Sequence, residues 1–223
     1  MPVEVDQIIR TNRKTIAIIL RPDGSLLVRA PLRASRRSIQ EFVTNNTQWI
    51  EKTRVRLQAV APPPPKQYVP GEVFEYLGKV YPLEIVADQK KSLRLEEGIF
   101  RLAATAQDKA ALAFEHWYKE QARQILSERV EYYARQNGFR YNKIGITSAR
   151  TRWGSCSASG ALNFSWHLIQ APMEAVDYVV VHELVHTIIH NHSKKFWIKV
   201  EQTMPDYRER RKWLRRNGHR LLV

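Results

Sequence analysis

Three things are scarce in this chain of 223 residues. Cysteine is almost missing: Cys156 stands alone, which excludes an intramolecular disulfide and makes a cytoplasmic setting the default expectation. No apolar run reaches the length that spans a bilayer, so no membrane partner is expected. Glu4 and Asp6 occupy the N-terminal stretch where a secretory signal would need a continuous apolar core, so none is expected there. Acidic residues are also few, 22 against 36 basic ones, for a formal charge of +14. Apolar and aromatic content is otherwise that of a folded globular protein, which excludes a disordered chain.

The charge excess is not even. Residues 1–60 hold 11 Lys and Arg against 5 acids, and residues 194–223 hold 10 against 3, while the segment between is close to neutral. Basic ends suit nucleic acid, an acidic surface or simply solubility. Arg211, Arg215 and Arg216 in the tail are expected to meet phosphates, without sequence preference, at a distance from the histidine-bearing segment.

Taken in order, residues 7–20 and 25–30 read as a hairpin across Arg21-Pro22-Asp23-Gly24-Ser25. Ser38 and Glu41 form a capping box for a helix through Ile39, Phe42, Val43, Trp49 and Ile50, ending before a proline linker at 62–65. Residues 68–102 read as short strands, and 108–137 as a helix with Phe114, Tyr118, Ala122, Leu126 and Val130 on one face, stopped by Gly138. A second hairpin is expected from 143–153 and 160–169, and Pro172 opens the next helix with Glu174 and Asp177 near its positive end. Ser193 is a cap for a further helix through Phe196 and Trp197, and a short basic helix closes the chain.

The helix after Pro172 carries Val179-Val180-Val181-His182-Glu183-Leu184-Val185-His186. Positions i and i+4 share a helix face, so His182 and His186 can reach one ion together. Glu183 lies about 100° further round, within reach of a water on that ion without being a ligand. Without such a partner, a carboxylate among valines and leucine would cost several kcal/mol. Catalytic zinc takes three protein ligands and keeps one position open. His190 continues the same face, and three histidines in a straight row span about 12 Å, too far for one ion. His192 is the third ligand if the chain turns back, and Asn191 is expected to make that turn in a left-handed conformation. His116, His167 and His219 are isolated and read as surface or core residues.

Trp153-Gly154-Ser155-Cys156-Ser157, Leu162-Asn163-Phe164, Tyr178 through His186, Asn191-His192-Ser193 and Phe196-Trp197 together resemble the YgjP-like metallopeptidases, relatives of the SprT and WLM zincins. So do Ile39…Phe42-Val43…Trp49-Ile50, Tyr76-Leu77-Gly78-Lys79…Tyr81 and Trp117-Tyr118. The resemblance implies zinc at His182, His186 and His192, with Glu183 as catalytic base. It implies an α+β fold: a β-rich N-terminal domain with a helix over residues 1–105, then a zincin-like domain over 106–223 in which a β-hairpin packs on metal-binding helices. Better-known zincins with this histidine interval have glycine where this chain has Ile189.

The chemistry expected is zinc-assisted hydrolysis of a protein or peptide substrate, with Tyr207, Arg152 or His167 as oxyanion donor. The strand at 160–169 would line the cleft and pair with an extended substrate. One alternative is a DNA-associated protease acting on proteins held on nucleic acid. The other is a non-enzymatic nucleic-acid-binding protein, in which Cys156 closes a structural zinc site.

Overall fold

Leu26, Val28 and Ala30 alternate along one strand and are fully buried, and the first sheet is built around them. The computed structural model describes residues 3–21, 24–58 and 64–221, in two compact units, Met1–Pro63 and Pro64–Val223. The first unit holds β1 (Gln7–Thr11), β2 (Ala17–Leu20) and β3 (Leu26–Pro31) in the order β1-β3-β2. β2 and β3 form the expected hairpin; Pro22 and Asp23 of its turn lie outside the described residues. The stretch before it is two strands and not one, because β1 runs parallel to β3 on the far side. Ile39 and Val43 of α1 (Arg36–Asn45) and Ile50 of α2 (Thr47–Gln58) join the buried cluster of β3.

The cap of α1 is Ser35, not Ser38. Ser35 is extended, and its hydroxyl accepts the Ser38 N–H at 3.0 Å, while Glu41 pairs with Arg37. The expected single helix is broken at Asn46, whose side chain donates to the Phe42 carbonyl at 2.8 Å. Of the proline linker, Pro62 and Pro63 lie outside the described residues.

The second unit begins with β4 (Val73–Tyr76), β5 (Lys79–Val86), β6 (Leu93–Glu96) and β7 (Ile99–Ala103), ordered β4-β5-β7-β6. Helix α3 (Ala110–Asn137) follows and ends at Gly138 as expected. Its buried stripe of Phe114, Tyr118, Ala122, Leu126, Val130 and Ala134 shares one core with Phe74, Leu83, Phe100 and Leu102 of the sheet. Phe74 and Phe114 stack at 4.0 Å. The boundary expected at 105 therefore falls inside the second unit, where sheet and helix bury each other's apolar faces.

Next come β8 (Lys143–Thr147), β9 (Gly154–Cys156) and β10 (Ala161–Ser165), in the order β8-β10-β9. The expected hairpin of 143–153 with 160–169 is corrected here. β8 runs parallel to β10, and the antiparallel partner of β10 is the short β9, which lies in the expected connection between the two arms. β10 is thus internal, and β9 is an edge.

Helices α4 (Met173–His186), α5 (Lys194–Thr203) and α6 (Tyr207–Asn217) complete the unit. Two devices fix α4. At its start, the β4–β5 turn places Leu77 and Gly78 at positive φ, with their N–H groups on the carbonyls of Ile169 and Gln170. A Cβ on Gly78 would stand 2.7 Å from Pro172, so both the backbone angle and the close approach require glycine. One turn on, Asp177 accepts from Arg129 Nε and Nη2 at 2.6 and 2.8 Å and from the Tyr133 hydroxyl at 3.1 Å. Arg210 of α6 approaches the same carboxylate at 3.9 Å. Asp177 thus joins α3, α4 and α6 rather than merely facing the helix dipole. The chain is α+β with three small mixed sheets, and among the described residues no helix is long and apolar enough to cross a membrane.

Candidate metal centre

α4 is buried on nearly every side: Val176, Val179, Val180, Val181, Leu184 and Val185 all lie in the core. Beyond its first turn, where Met173 and Glu174 are open, only His182 and His186 are less than buried. The helix stops at His186. Thr187, Ile188 and Ile189 turn back through N–H bonds to the carbonyls of Leu184 and Val185, and the Thr187 hydroxyl donates to Leu184 O at 2.7 Å. The reversal thus begins four residues before Asn191, which is not left-handed. Asn191 instead accepts the Ser193 N–H with its side-chain oxygen at 3.1 Å and leads the chain into α5.

This reversal returns His192 to the helix. Its Nε2 stands 3.0 Å from His182 Nε2 and 3.2 Å from His186 Nε2. The ligand atoms of all three rings lie within 4.8 Å of one another, and the exposed His190 is outside the group. Phe196 backs the cluster, its ring 4.9, 4.5 and 4.9 Å from those of His182, His186 and His192. Ile189 has a use that its side chain does not suggest: its carbonyl takes the His186 Nδ1–H at 2.9 Å, which leaves Nε2 as a bare lone pair. Burial, reinforced by the neighbouring imidazoles of His186 and His192, pulls His182 down to about 3, and burial also lowers His186. Three imidazole nitrogens brought this close together are a donor set that could hold a cation. Two nitrogens each 2.0–2.1 Å from a tetrahedral ion lie about 3.3 Å apart, close to the spacings found here.

Glu183 is buried beside this cluster, and burial lifts its carboxyl to about 7 against the pull of Arg152. Gly154 of β9 covers it. A Cβ at that position would meet Glu183 Cγ at 2.6 Å and Oε1 at 2.7 Å, so only glycine lets the strand lie against the carboxylate. A cleft of about 340 Å³ opens over His182 and Glu183, walled by Trp153, Tyr178, Leu214, Arg211 and Arg215 among others.

The expected oxyanion donors fare unequally. Tyr207 is buried and stacked on Trp197 at 5.6 Å, and His167 is buried under Trp166 at 3.7 Å; neither lines the cleft. Arg152 lines an adjoining depression that also borders Gly154. The residues that do line the cleft, Tyr178, Arg211 and Arg215, were not singled out for it by sequence. Tyr178 had a readable signal, being one helical turn before His182; the arginines had none, because α6 is far away in the chain. The expectation that Arg211 and Arg215 stand apart from the histidines is thereby corrected. Cys156 of β9 is half-buried, its thiol pushed up by burial and by Glu183, and it is not in the histidine group.

The sequence matches the YgjP-like metallopeptidase domain over residues 14–217. No curated protein matches it. Among solved structures, the crystal structure of the metallopeptidase zymogen of Pyrococcus abyssi abylysin aligns at 20% identity with a TM-score of 0.40, over 44% of this chain and 99% of that one. The family match runs through both units and takes in the three histidines, Glu183, Gly154 and every residue named in the cleft wall. The chain belongs to the YgjP-like metallopeptidase family.

Proposed function

We propose that the chain is a zinc-dependent peptidase that holds its ion through His182, His186 and His192 and uses Glu183 as general base. The observation that carries this reading is the convergence of three Nε2 atoms, one of them 3.0 and 3.2 Å from the other two. His192 Nε2 has at most one proton, so it cannot donate to both neighbours, and His186 Nε2 has none to give. A cation resolves that conflict. Three nitrogen donors suit zinc, and the three-ligand set leaves the open position of a catalytic site.

Zinc when bound would polarise the scissile carbonyl and make a water acidic near neutral pH. Glu183 would take the proton of the attacking water on a carboxylate oxygen and deliver it to the leaving amine nitrogen. Its burial excludes bulk water from that transfer. Tyr178, whose hydroxyl burial pushes up to about 12, stays protonated at neutral pH and is a donor for the developing oxyanion. β9 presents a free sheet edge beside Glu183, where an extended substrate would pair; the internal β10 has none to offer.

The test is metal analysis joined to a peptide-cleavage assay. One zinc per chain is expected in the wild type and in His190→Ala, and loss of zinc in His182→Ala, His186→Ala and His192→Ala. Should His192→Ala keep its zinc while His190→Ala loses it, the ligand set is wrong. A zinc-loaded wild type that cleaves no member of a broad peptide library would remove the peptidase reading.

A further inference from the structure

Helix α6 carries five arginines, and four of them divide into two kinds. Arg208 and Arg210 have acidic partners, Glu201 at 3.2 Å for the first and Asp206 at 2.7 Å for the second. Arg211 and Arg215 have no acidic partner among the described residues, although three acids lie in the same tail. These two are i and i+4, on one face of the helix, and both line the cleft above His182 and Glu183. Arg211 is held in place without being neutralised: its guanidinium lies 4.5 Å from the Trp197 ring, which is itself stacked on Tyr207. The cleft has one acidic residue, Glu183, already committed to the base role in the reading above. Two unpaired guanidinium groups next to an otherwise apolar wall of Trp153, Val179 and Leu214 suit an anion such as a carboxylate.

We infer that Arg211 and Arg215 form a carboxylate-binding subsite, so that the peptides this chain accepts carry an Asp or Glu side chain close to the scissile bond. This rests on the peptidase reading. The ligand is a peptide because the subsite opens into the same cleft as Glu183. It is an acidic one because a lysine or arginine side chain there would face two uncompensated positive charges. The subsite acts on binding and position; neither arginine is assigned a proton.

The experiment uses the full-length zinc-loaded Glu183→Gln protein and fluorescence anisotropy with labelled decapeptides. Each set is identical except that one position, moved along the peptide, is Glu, Gln or Lys. At one or two positions the Glu peptide is expected to bind about tenfold more tightly than its Gln counterpart, with the Lys peptide weakest. Arg215→Gln, which breaks no ion pair or hydrogen bond among the described residues, should cut the Glu preference severalfold. Arg211→Gln combined with Arg215→Gln should abolish it. Arg211→Glu with Arg215→Glu should invert it in favour of Lys, with zinc content unchanged throughout as proof of an intact fold. Equal affinity for the three peptides at every position, or a Glu preference that survives the double substitution, overturns the inference. Failure of the wild type to cleave any peptide bears on the peptidase reading alone, since the anisotropy measurement needs no turnover.

Discussion

Asp177 and Glu183 sit six residues apart on α4, 6% and 5% exposed, and their surroundings are opposite. Asp177 is gripped by a bidentate Arg129, by the Tyr133 hydroxyl and at longer range by Arg210. Glu183 receives no hydrogen bond from the described residues; Gly154 lies against it, and the charge of Arg152 acts on it only at a distance. A buried carboxylate with three donors ties helices together. One with none is costly to bury, and in the proposed function it serves a proton and a water beside a cation. The two ends of one helix therefore separate stability from chemistry.

The largest effect expected from breaking that contrast is on turnover. Glu183→Gln should reduce peptide hydrolysis by about 1,000-fold or more, the scale of a lost general base, while zinc content stays at one per chain. Its urea midpoint should hold or rise, since a neutral amide replaces an unpaired buried carboxylate. Asp177→Asn should do the reverse. Leaving Arg129 without its partner should cost about 3 kcal/mol of unfolding free energy, with zinc stoichiometry unchanged. Equal destabilisation by the two substitutions would place Glu183 among the structural carboxylates.

How much of this could be read in advance follows from the range of each interaction. His182, Glu183 and His186 were legible because a helix repeats every 3.6 residues and the site is local to one and a half turns. The stripe of α3 from Phe114 to Val130 was legible for the same reason. Ser35 was missed as a cap because Ser35 and Ser38 compete within one turn, and only the backbone angles decide between them. The starting point of the chain reversal after His186 was missed because it is made by the backbone N–H groups of Thr187, Ile188 and Ile189 on Leu184 and Val185, which no side-chain pattern reveals. The parallel pairing of β8 with β10 and the seat of Arg211 and Arg215 over the cleft are long-range facts. Sequence gave the arginines' charge but not their address.

His167 stands between the two carboxylates in kind, with one ring nitrogen satisfied and the other not. The Ser165 hydroxyl donates to Ala149 O at 2.7 Å, so it must accept from His167 Nδ1–H at 3.0 Å, and Nε2 is left buried without a partner. Burial, helped by Arg150, holds this imidazole down to about 4. An unfolded chain takes up that proton near pH 6.5, while the folded one refuses it until about pH 4. Stability linked to His167 is therefore complete above about pH 7 and is lost as pH falls, by about 2 kcal/mol at pH 5. In urea titrations, His167→Gln should show a shallower fall between pH 7 and pH 5 than the wild type. An unchanged slope would mean that His167 is not the group responsible.

The smallest effects belong to β9, where Gly154 and Cys156 occupy the same face of one strand two residues apart. Gly154→Ala would drive a methyl group to within 2.6–2.9 Å of three Glu183 atoms. The carboxylate would shift, and turnover should drop about tenfold at a cost of about 1 kcal/mol in stability, the lower end for overpacking. Cys156→Ser should change neither zinc content nor turnover by more than about twofold. The thiol is half-buried and donates weakly to the Ser157 carbonyl at 3.4 Å; a hydroxyl replaces it at similar size. Burial and the nearby Glu183 both raise the thiol's pKa, the opposite of what a thiolate ligand or nucleophile requires. If Cys156→Ser lost the metal, the histidine site would be closed by sulfur. Glu183 would then have no open position to serve, and the contrast with Asp177 would need another cause.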